Sequence, residues 1–213
     1  MEKIIAQILT DIETYLDEGG YDCLSGEFLD TLCGNYHEEI LINYGATRWC
    51  ILFKKYDYVL KMPRFESTDT DYCAIELANY HQACKMGIEQ ILLPIEKIAV
   101  LGKSKYPIYK QPKYSYSWRG ADRNLLQKLN DDTRRIYPED SKSYNILCHA
   151  KRHLYDSQVS IYFLSRVMQL YGKKFLKRFC RWTRKQKVND LHRDNYGFRN
   201  NKPVLIDYAG FYD

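Results

Sequence analysis

The sequence predicts an α+β fold in which a small antiparallel sheet with one helix is followed by a mostly helical half. Two blocks, residues 38–63 and 95–110, carry short apolar runs typical of strands, and a segment with helix signals lies between them. After Pro112 the chain becomes polar and then helical, with no internal repeat. With 213 residues, of which 45% are hydrophobic and 28% charged, the chain can bury a core of its own.

The first 36 residues are predicted to form a helical extension. Residues 2–18 place six apolar side chains on one helical face, and Gly19 and Gly20 end that helix. The six are Ile4, Ile5, Ile8, Leu9, Ile12 and Leu16. Residues 21–36 show no clear period and are predicted to be irregular.

Residues 37–112 are predicted to form a first lobe built on the sheet. The predicted strands are residues 40–42, 49–53, 58–62, 95–101 and 106–110. A hairpin turn is predicted at residues 54–57. Between the third and fourth strands, Ser67, Thr68 or Asp69 is expected to cap a helix that Gly87 ends.

Residues 113–213 are predicted to form a second, mostly helical lobe. Helices are expected over residues 144–156 and 158–187, and short strands over the last 25 residues. Eight basic side chains lie between residues 173 and 187. Phe175, Phe179 and Trp182 recur there at helical spacing and are expected to face the core. The basic groups would then form an outer face that is solvated, with nucleic acid or an acidic partner as less favoured alternatives.

Composition and cysteine usage narrow the class of protein. The seven cysteines are odd in number and include no Cys-x-x-Cys pair, which favours free thiols in a reducing compartment. The formal charge of +5 suits anionic ligands such as nucleotides. No apolar run approaches the roughly 20 residues that span a bilayer. We therefore expect a cytoplasmic protein without a membrane partner.

The strongest chemical signal is a set of polar residues near the C-terminus. Asp190 stands five positions before Asn195, in the run Asp-Leu-His-Arg-Asp-Asn, and Asp207 follows Asn195 by twelve positions. Asp207 comes after the apolar run Pro-Val-Leu-Ile and before a small turn that ends in Gly210. In ATP-dependent phosphoryl transfer an aspartate orients the attacking hydroxyl, and an asparagine and a second aspartate hold magnesium. The spacing fits that chemistry.

The upstream half supplies candidates for the rest of a nucleotide site. Lys61 ends an apolar strand, and Glu76 lies fifteen positions later in a helix, between apolar neighbours. A carboxylate in such surroundings is costly unless it is paired, so we predict a Lys61–Glu76 ion pair. Gly45 lies in a turn between two strands that is a candidate to cover the phosphates, although the turn has a single glycine.

These motifs together resemble the protein-kinase-like superfamily. The Asp-Leu-His-x-x-Asn loop is similar to that of aminoglycoside and small-molecule phosphotransferases, and its combination with Pro-Val-Leu-Ile-Asp is similar to the small early-gene protein kinases of bacteriophages. The resemblance covers residues 188–210 well and 40–112 loosely. It implies a bilobal kinase-like fold, with a reduced helical second lobe, that binds ATP and magnesium.

The resemblance also implies a role for each motif residue. Asp190 matches the catalytic base, and His192 falls near the transferred phosphate. Asn195 and Asp207 match the metal ligands. Lys61, Glu76 and Gly45 match the residues that hold the nucleotide.

The chain departs from the kinase pattern in ways that keep other functions open. Val188 and Asn189 stand where a His-Arg pair is usual, and the chain ends at Asp213, so we expect no activation segment or peptide-docking shelf. The leading prediction is a magnesium- and ATP-dependent phosphotransferase acting on a protein or small-molecule hydroxyl. One alternative is a pseudokinase, a phage or mobile-element factor that binds host proteins. The other is a basic nucleic-acid-associated protein.

Overall fold

The computed structural model describes residues 3–114, 116–117, 123–151, 157–189, 191, 193–200 and 202–210. Within them it has six α-helices, a five-stranded antiparallel sheet and a three-stranded sheet, which confirms the predicted α+β class. The chain divides into two compact units. The first comprises Met1–Leu77 and Pro94–Lys113, and the second comprises Ala78–Leu93 and Tyr114–Asp213. Among the described residues, no helix combines the length and apolar content needed to cross a bilayer.

The first unit is organised by the five-stranded sheet. Its strands are β1 (Ile40–Tyr44), β2 (Arg48–Phe53), β3 (Tyr58–Pro63), β4 (Glu96–Leu101) and β5 (Tyr106–Pro112), in the spatial order β1-β2-β3-β5-β4. All five predicted strands are confirmed. The helices are α1 (Lys3–Gly19), α2 (Gly26–Asn35) and the start of α3 (Tyr72–Met86), which the division at Leu77 splits between the two units.

Helix α1 packs its apolar face into the same core as the sheet. Ile8 and Ile12 are fully buried in one cluster with Ile51 and Leu60 of the strands. The helix ends at Gly20, whose φ of 63° lets the Tyr21 amide donate to the Leu16 carbonyl at 3.0 Å. This is the glycine-dependent helix end that the sequence predicted.

Helix α2 was not predicted, and the expectation of irregular structure over residues 21–36 is wrong for most of that segment. The Ser25 hydroxyl caps the helix by accepting from the Phe28 amide at 3.2 Å. Leu29 and Leu32 are buried in the core of the first unit. Only these two positions are fully buried, with Phe28 partly buried against the same core, and the ten-residue helix contains two glycines, so the periodic signal was weak.

The start of α3 also differs from the prediction. Its cap is Asp71, whose Oδ1 accepts from the Ala74 amide at 2.9 Å, and not one of residues 67–69. The predicted end is confirmed. Gly87 has a φ of 63°, and the next amide, that of Ile88, donates to the Ala83 carbonyl at 3.1 Å.

Besides the rest of α3, the second unit contains three helices and the smaller sheet. The helices are α4 (Arg123–Ile136), α5 (Lys142–Lys151) and α6 (Ser157–Lys185), and both α4 and α5 pack against α6. The strands are β6 (Tyr116–Ser117), β7 (Tyr196–Arg199) and β8 (Lys202–Leu205), paired antiparallel in that order.

Helix α6 is interrupted where the sequence predicted a continuous helix over residues 158–187. Gly172 adopts φ 80° and ψ 169°, a backbone conformation that glycine alone reaches readily. Beyond this break Phe175, Phe179 and Trp182 are buried, as predicted. The eight basic side chains between residues 173 and 187 are all exposed, so the expected basic outer face is present.

Candidate functional site

The predicted ion pair between Lys61 and Glu76 is present in the first unit. Lys61 lies on β3 and Glu76 on α3, and the lysine Nζ lies 3.1 Å from Oε1 and 2.9 Å from Oε2 of the carboxylate. Lys61 is 6% exposed and Glu76 is fully buried. Removal of one partner of a buried ion pair is costly, so Lys61 and Glu76 are expected to stabilise the fold as a unit.

Two further side chains contact the same carboxylate. Arg48 on β2 donates from Nη1 to Oε2 of Glu76 at 3.0 Å, and Gln111 on β5 donates from Nε2 to Oε1 at 3.2 Å. The Glu76 carboxylate therefore accepts from three side chains on three neighbouring strands. We call Lys61, Glu76, Arg48 and Gln111 the carboxylate cluster.

Sheet register explains why these side chains meet. Cys50 on β2 and Tyr109 on β5 are the cross-strand partners of Lys61. Paired residues share a face of the sheet, and so do residues two positions apart along a strand. Arg48 and Gln111, each two positions from one of those partners, therefore project from the same face as Lys61.

Asp71 fixes the helix that carries Glu76. One carboxylate oxygen caps α3, and the other accepts from the Tyr109 hydroxyl at 2.6 Å. Burial and this hydrogen bond raise the pKa of Tyr109 above its usual value. Burial also raises the pKa of the Cys73 thiol well above its usual value, against the opposing effect of Arg48 and Lys61. Both groups stay neutral at physiological pH, so they add no charge beside the carboxylate cluster.

Gly45 opens the turn between β1 and β2, at an exposed position. Its amide donates to the Arg48 carbonyl at 2.9 Å, and its carbonyl accepts from Arg64 Nη1 at 3.2 Å. A Cβ built on Gly45 meets no atom within 4 Å. The backbone of this turn therefore has room for a side chain at Gly45.

In the second unit, Asn195 and Asp207 lie at one end of the β7–β8 hairpin. Asn195 ends a 3₁₀ turn directly before β7, and its carbonyl accepts from the Ile206 amide at 2.9 Å. Asp207 is the next residue after Ile206. Asn195 is buried, 7% exposed, whereas Asp207 is partly exposed. The hairpin thus brings together two residues that are twelve positions apart in the sequence.

The turn after Asp207 is held by buried hydrogen bonds within the second unit. The Tyr208 hydroxyl donates to the Leu93 carbonyl at 2.5 Å, and the Tyr208 carbonyl accepts from Asn79 Nδ2 at 2.9 Å. The carbonyl of Asn79 accepts in turn from Trp182 Nε1 at 3.1 Å. These contacts fix the backbone on the C-terminal side of Asp207.

Gly210 joins this turn to the segment that precedes Asp190. It has a φ of 78°, and a Cβ placed there would lie 2.5 Å from the carbonyl oxygen of Lys187. Lys187 itself has a φ of 52°, and the following amide, that of Val188, donates to the Thr183 carbonyl at 2.9 Å to end α6. Close backbone contact at this point requires a glycine.

Asp190 and His192, the predicted catalytic pair, lie outside the described residues. Leu191, which stands between them, is fully buried, and Val188 is buried two positions before Asp190, whereas Asn189 is exposed.

The oxygen donors of the second unit suit magnesium. This ion prefers carboxylate and carbonyl oxygens, and proteins commonly hold it through one or two carboxylates together with substrate phosphates. Asn195 and Asp207 supply one amide oxygen and one carboxylate. Within the described ranges, no group of three or more His, Cys, Asp or Glu side chains is placed to hold a metal by itself.

No protein-family model matches this sequence, and no curated protein matches it.

Sequence reasoning missed the residues whose contacts depend on tertiary structure. Arg48 and Gln111 are single polar residues beside apolar runs, and only the strand register reveals that they share a face with Lys61. Asn79 lies mid-helix, and its bond to the turn after Asp207 was also missed. A usable signal was its position three residues after Glu76, since i and i+3 lie on the same side of a helix.

Proposed function

We propose that this chain is a kinase-like phosphotransferase that moves the γ-phosphoryl group of magnesium-bound ATP to a hydroxyl of a protein or small molecule. The observation that carries the proposal is the buried Lys61–Glu76 ion pair. It joins a strand lysine to a helix carboxylate in the order that the resemblance implies. In this proposal the two units correspond to the two lobes of a kinase-like fold.

The carboxylate cluster holds Lys61 ready for an anionic ligand. Glu76 accepts from Lys61 through both carboxylate oxygens, which fixes the ammonium in one position without further ordering on binding. We assign Lys61 to the α- and β-phosphates of the nucleotide. The turn that begins at Gly45 is assigned to cover the phosphates.

We assign Asn195 and Asp207 to the metal. When bound, magnesium would neutralise negative charge on the phosphates and stabilise the charge that develops during transfer. The hairpin bond between Asn195 and Ile206 fixes the spacing of the two ligands. Asp190 is assigned as the base that accepts the proton of the attacking hydroxyl, and His192 as a contact to the transferred phosphoryl group.

Thermal unfolding of the purified protein tests nucleotide binding. ATP with magnesium should raise the melting temperature, and ATP with a chelator should not, since a ligand that binds only the folded state stabilises it. Asp207→Ala should lose the magnesium-dependent shift. Equal shifts with and without magnesium would contradict the assignment of the metal ligands.

A pseudokinase that serves as an interaction module is the second candidate. Val188 and Asn189 favour it, because they stand where protein kinases usually carry His-Arg, and the burial of Val188 suits a packing role. Such a protein would bind the nucleotide and transfer nothing, and a host protein would be its partner. The nucleic-acid alternative predicts that the protein binds nucleic acid with an affinity that falls steeply as the salt concentration rises. The proposed binding of ATP at Lys61 does not require so steep a dependence on salt.

A further inference from the structure

A groove between α5 and α6 of the second unit has a chemistry that the proposed function does not use. Its volume is about 490 Å³. Ile146, Ala150 and Leu176 line it, with Leu176 buried and Ile146 only partly so. The groove therefore has an apolar floor.

The rim of the groove is basic. Lys142 of α5 and Lys177, Arg181 and Arg184 of α6 line it, and all four are exposed. The three α6 residues recur at i, i+4 and i+7, so they form one stripe that extends over two turns, about 10 Å. Among the described residues, no carboxylate lies within salt-bridge distance of these four side chains.

Only part of the basic outer face belongs to this stripe. Arg178 lies over the Phe175 ring, 5.6 Å from its centroid, and does not line the groove. Lys173 and Lys174 are exposed on the same helix and also do not line it. The cations around the groove are therefore a defined subset of the basic outer face.

We propose that this groove binds an acidic amphipathic segment of a partner protein. Apolar side chains of that segment would enter the floor, and flanking Asp or Glu side chains would meet the rim, which is the helix-in-groove mode of recognition. Charge complementarity selects an acidic partner. Nucleic acid fits less well, because single strands bind by stacking on several aromatic side chains, and among the described residues that line the groove the only ring is that of His149.

A selection from a random peptide library against the whole protein tests the proposal, with affinities then measured by fluorescence anisotropy. Enriched peptides should combine apolar residues with Asp or Glu. Lys177→Glu and Arg181→Glu should each weaken binding about tenfold or more. Ile146→Ser should weaken peptide binding because it removes an apolar side chain from the floor of the groove. Lys173→Glu, a charge reversal of equal size outside the groove, should change affinity less than about twofold.

Several outcomes would overturn the proposal. The first is a library that yields no acidic amphipathic peptide, and the second is an equal loss of peptide affinity from Lys173→Glu and Arg181→Glu. The third is a single-stranded oligonucleotide or an anionic vesicle that binds more tightly than the peptides and depends in the same way on Lys177 and Arg181. The charge-reversal variants should keep the wild-type melting temperature, because the substituted charges are exposed. They should also keep any stabilisation by ATP and magnesium, so failure here is distinguishable from failure of the proposed enzyme function.

Discussion

The carboxylate cluster of the first unit and the Asn195–Asp207 hairpin of the second unit are built in opposite ways. In the first, two charged side chains and one neutral amide on three strands converge on the buried carboxylate of Glu76, which lies on a helix. In the second, backbone hydrogen bonds and a close glycine contact position Asp207, which remains partly exposed. From this difference we expect changes in the carboxylate cluster to affect stability together with the proposed function, and changes at Asp207 to affect the proposed function alone.

The largest expected effect follows from removal of Glu76. Glu76→Ala leaves Lys61 and Arg48 without the carboxylate that both contact in the interior. Loss of one partner of a buried ion pair costs about 3–5 kcal/mol, so the free energy of unfolding should fall by that amount. Urea denaturation followed by circular dichroism measures it.

The matched control is Glu96→Ala. Glu96 is exposed and lies 3.6 Å from Lys110, and surface pairs contribute about 0–1 kcal/mol. Equal losses from the two variants would mean that the carboxylate cluster contributes no more than a surface pair.

Substitution of Gly210 should destabilise the backbone that positions Asp207 in the second unit. Gly210→Ala combines a positive φ with a contact of 2.5 Å to the Lys187 carbonyl oxygen, and we expect a loss of about 2–3 kcal/mol. Gly20→Ala is the control, since Gly20 has a φ of 63° and no atom within 4 Å of the added Cβ. The control should cost about 1 kcal/mol, the cost of the left-handed conformation alone. If both variants lose the same amount in urea denaturation, the contact with Lys187 has no energetic role.

The sequence predicted the parts of the fold that depend on local pattern. The apolar period of α1, the strands and the glycine ends of α1 and α3 need only neighbours along the chain. Helix α2 and the break at Gly172 were missed, because two buried leucines give too weak a period and because a single glycine inside a helical pattern is usually tolerated.

In the candidate site, too, the contacts that follow from local sequence were predictable and those that depend on tertiary structure were not. The Lys61–Glu76 contact was predictable, because an isolated carboxylate in an apolar helix face demands a partner. Arg48 and Gln111 were not, because strand order and register decide which polar residues share a face. The close contact between Gly210 and Lys187 also could not be predicted from the sequence, because the two residues lie in separate loops that meet only in the folded chain.

The coupling between Lys61 and Glu76 is expected to be smaller than the loss from Glu76→Ala. In a double-mutant cycle with Lys61→Met and Glu76→Gln, the double variant should lose less stability than the sum of the single losses, by about 1–3 kcal/mol. The same non-additivity should appear in the rate of phosphoryl transfer. The exposed Lys110–Glu96 pair serves as the control cycle, with coupling below about 0.5 kcal/mol. Strict additivity at Lys61 and Glu76 would contradict their contact.

The smallest expected change in stability is at Asp207. Asp207→Ala removes a partly exposed carboxylate, whose Oδ1 accepts a long bond, 3.4 Å, from the Ala209 amide. The free energy of unfolding should change by no more than about 1 kcal/mol. Magnesium-dependent ATP binding, measured by calorimetry, should be lost. A variant that unfolds as readily as Glu76→Ala would show that Asp207 is structural and would remove the contrast between the two regions.

Transfer of labelled γ-phosphate tests the central claim most directly. Wild-type protein with magnesium and γ-labelled ATP should label itself, an added protein extract or water, and Asp190→Asn should abolish transfer while ATP affinity by calorimetry stays unchanged. The reason is the proposed division of roles, in which Asn195 and Asp207 would hold the metal and Asp190 would contact the incoming hydroxyl. Wild-type protein that binds ATP and transfers nothing would contradict the enzyme assignment and favour the pseudokinase. Full activity of Asp190→Asn would show that another residue is the base.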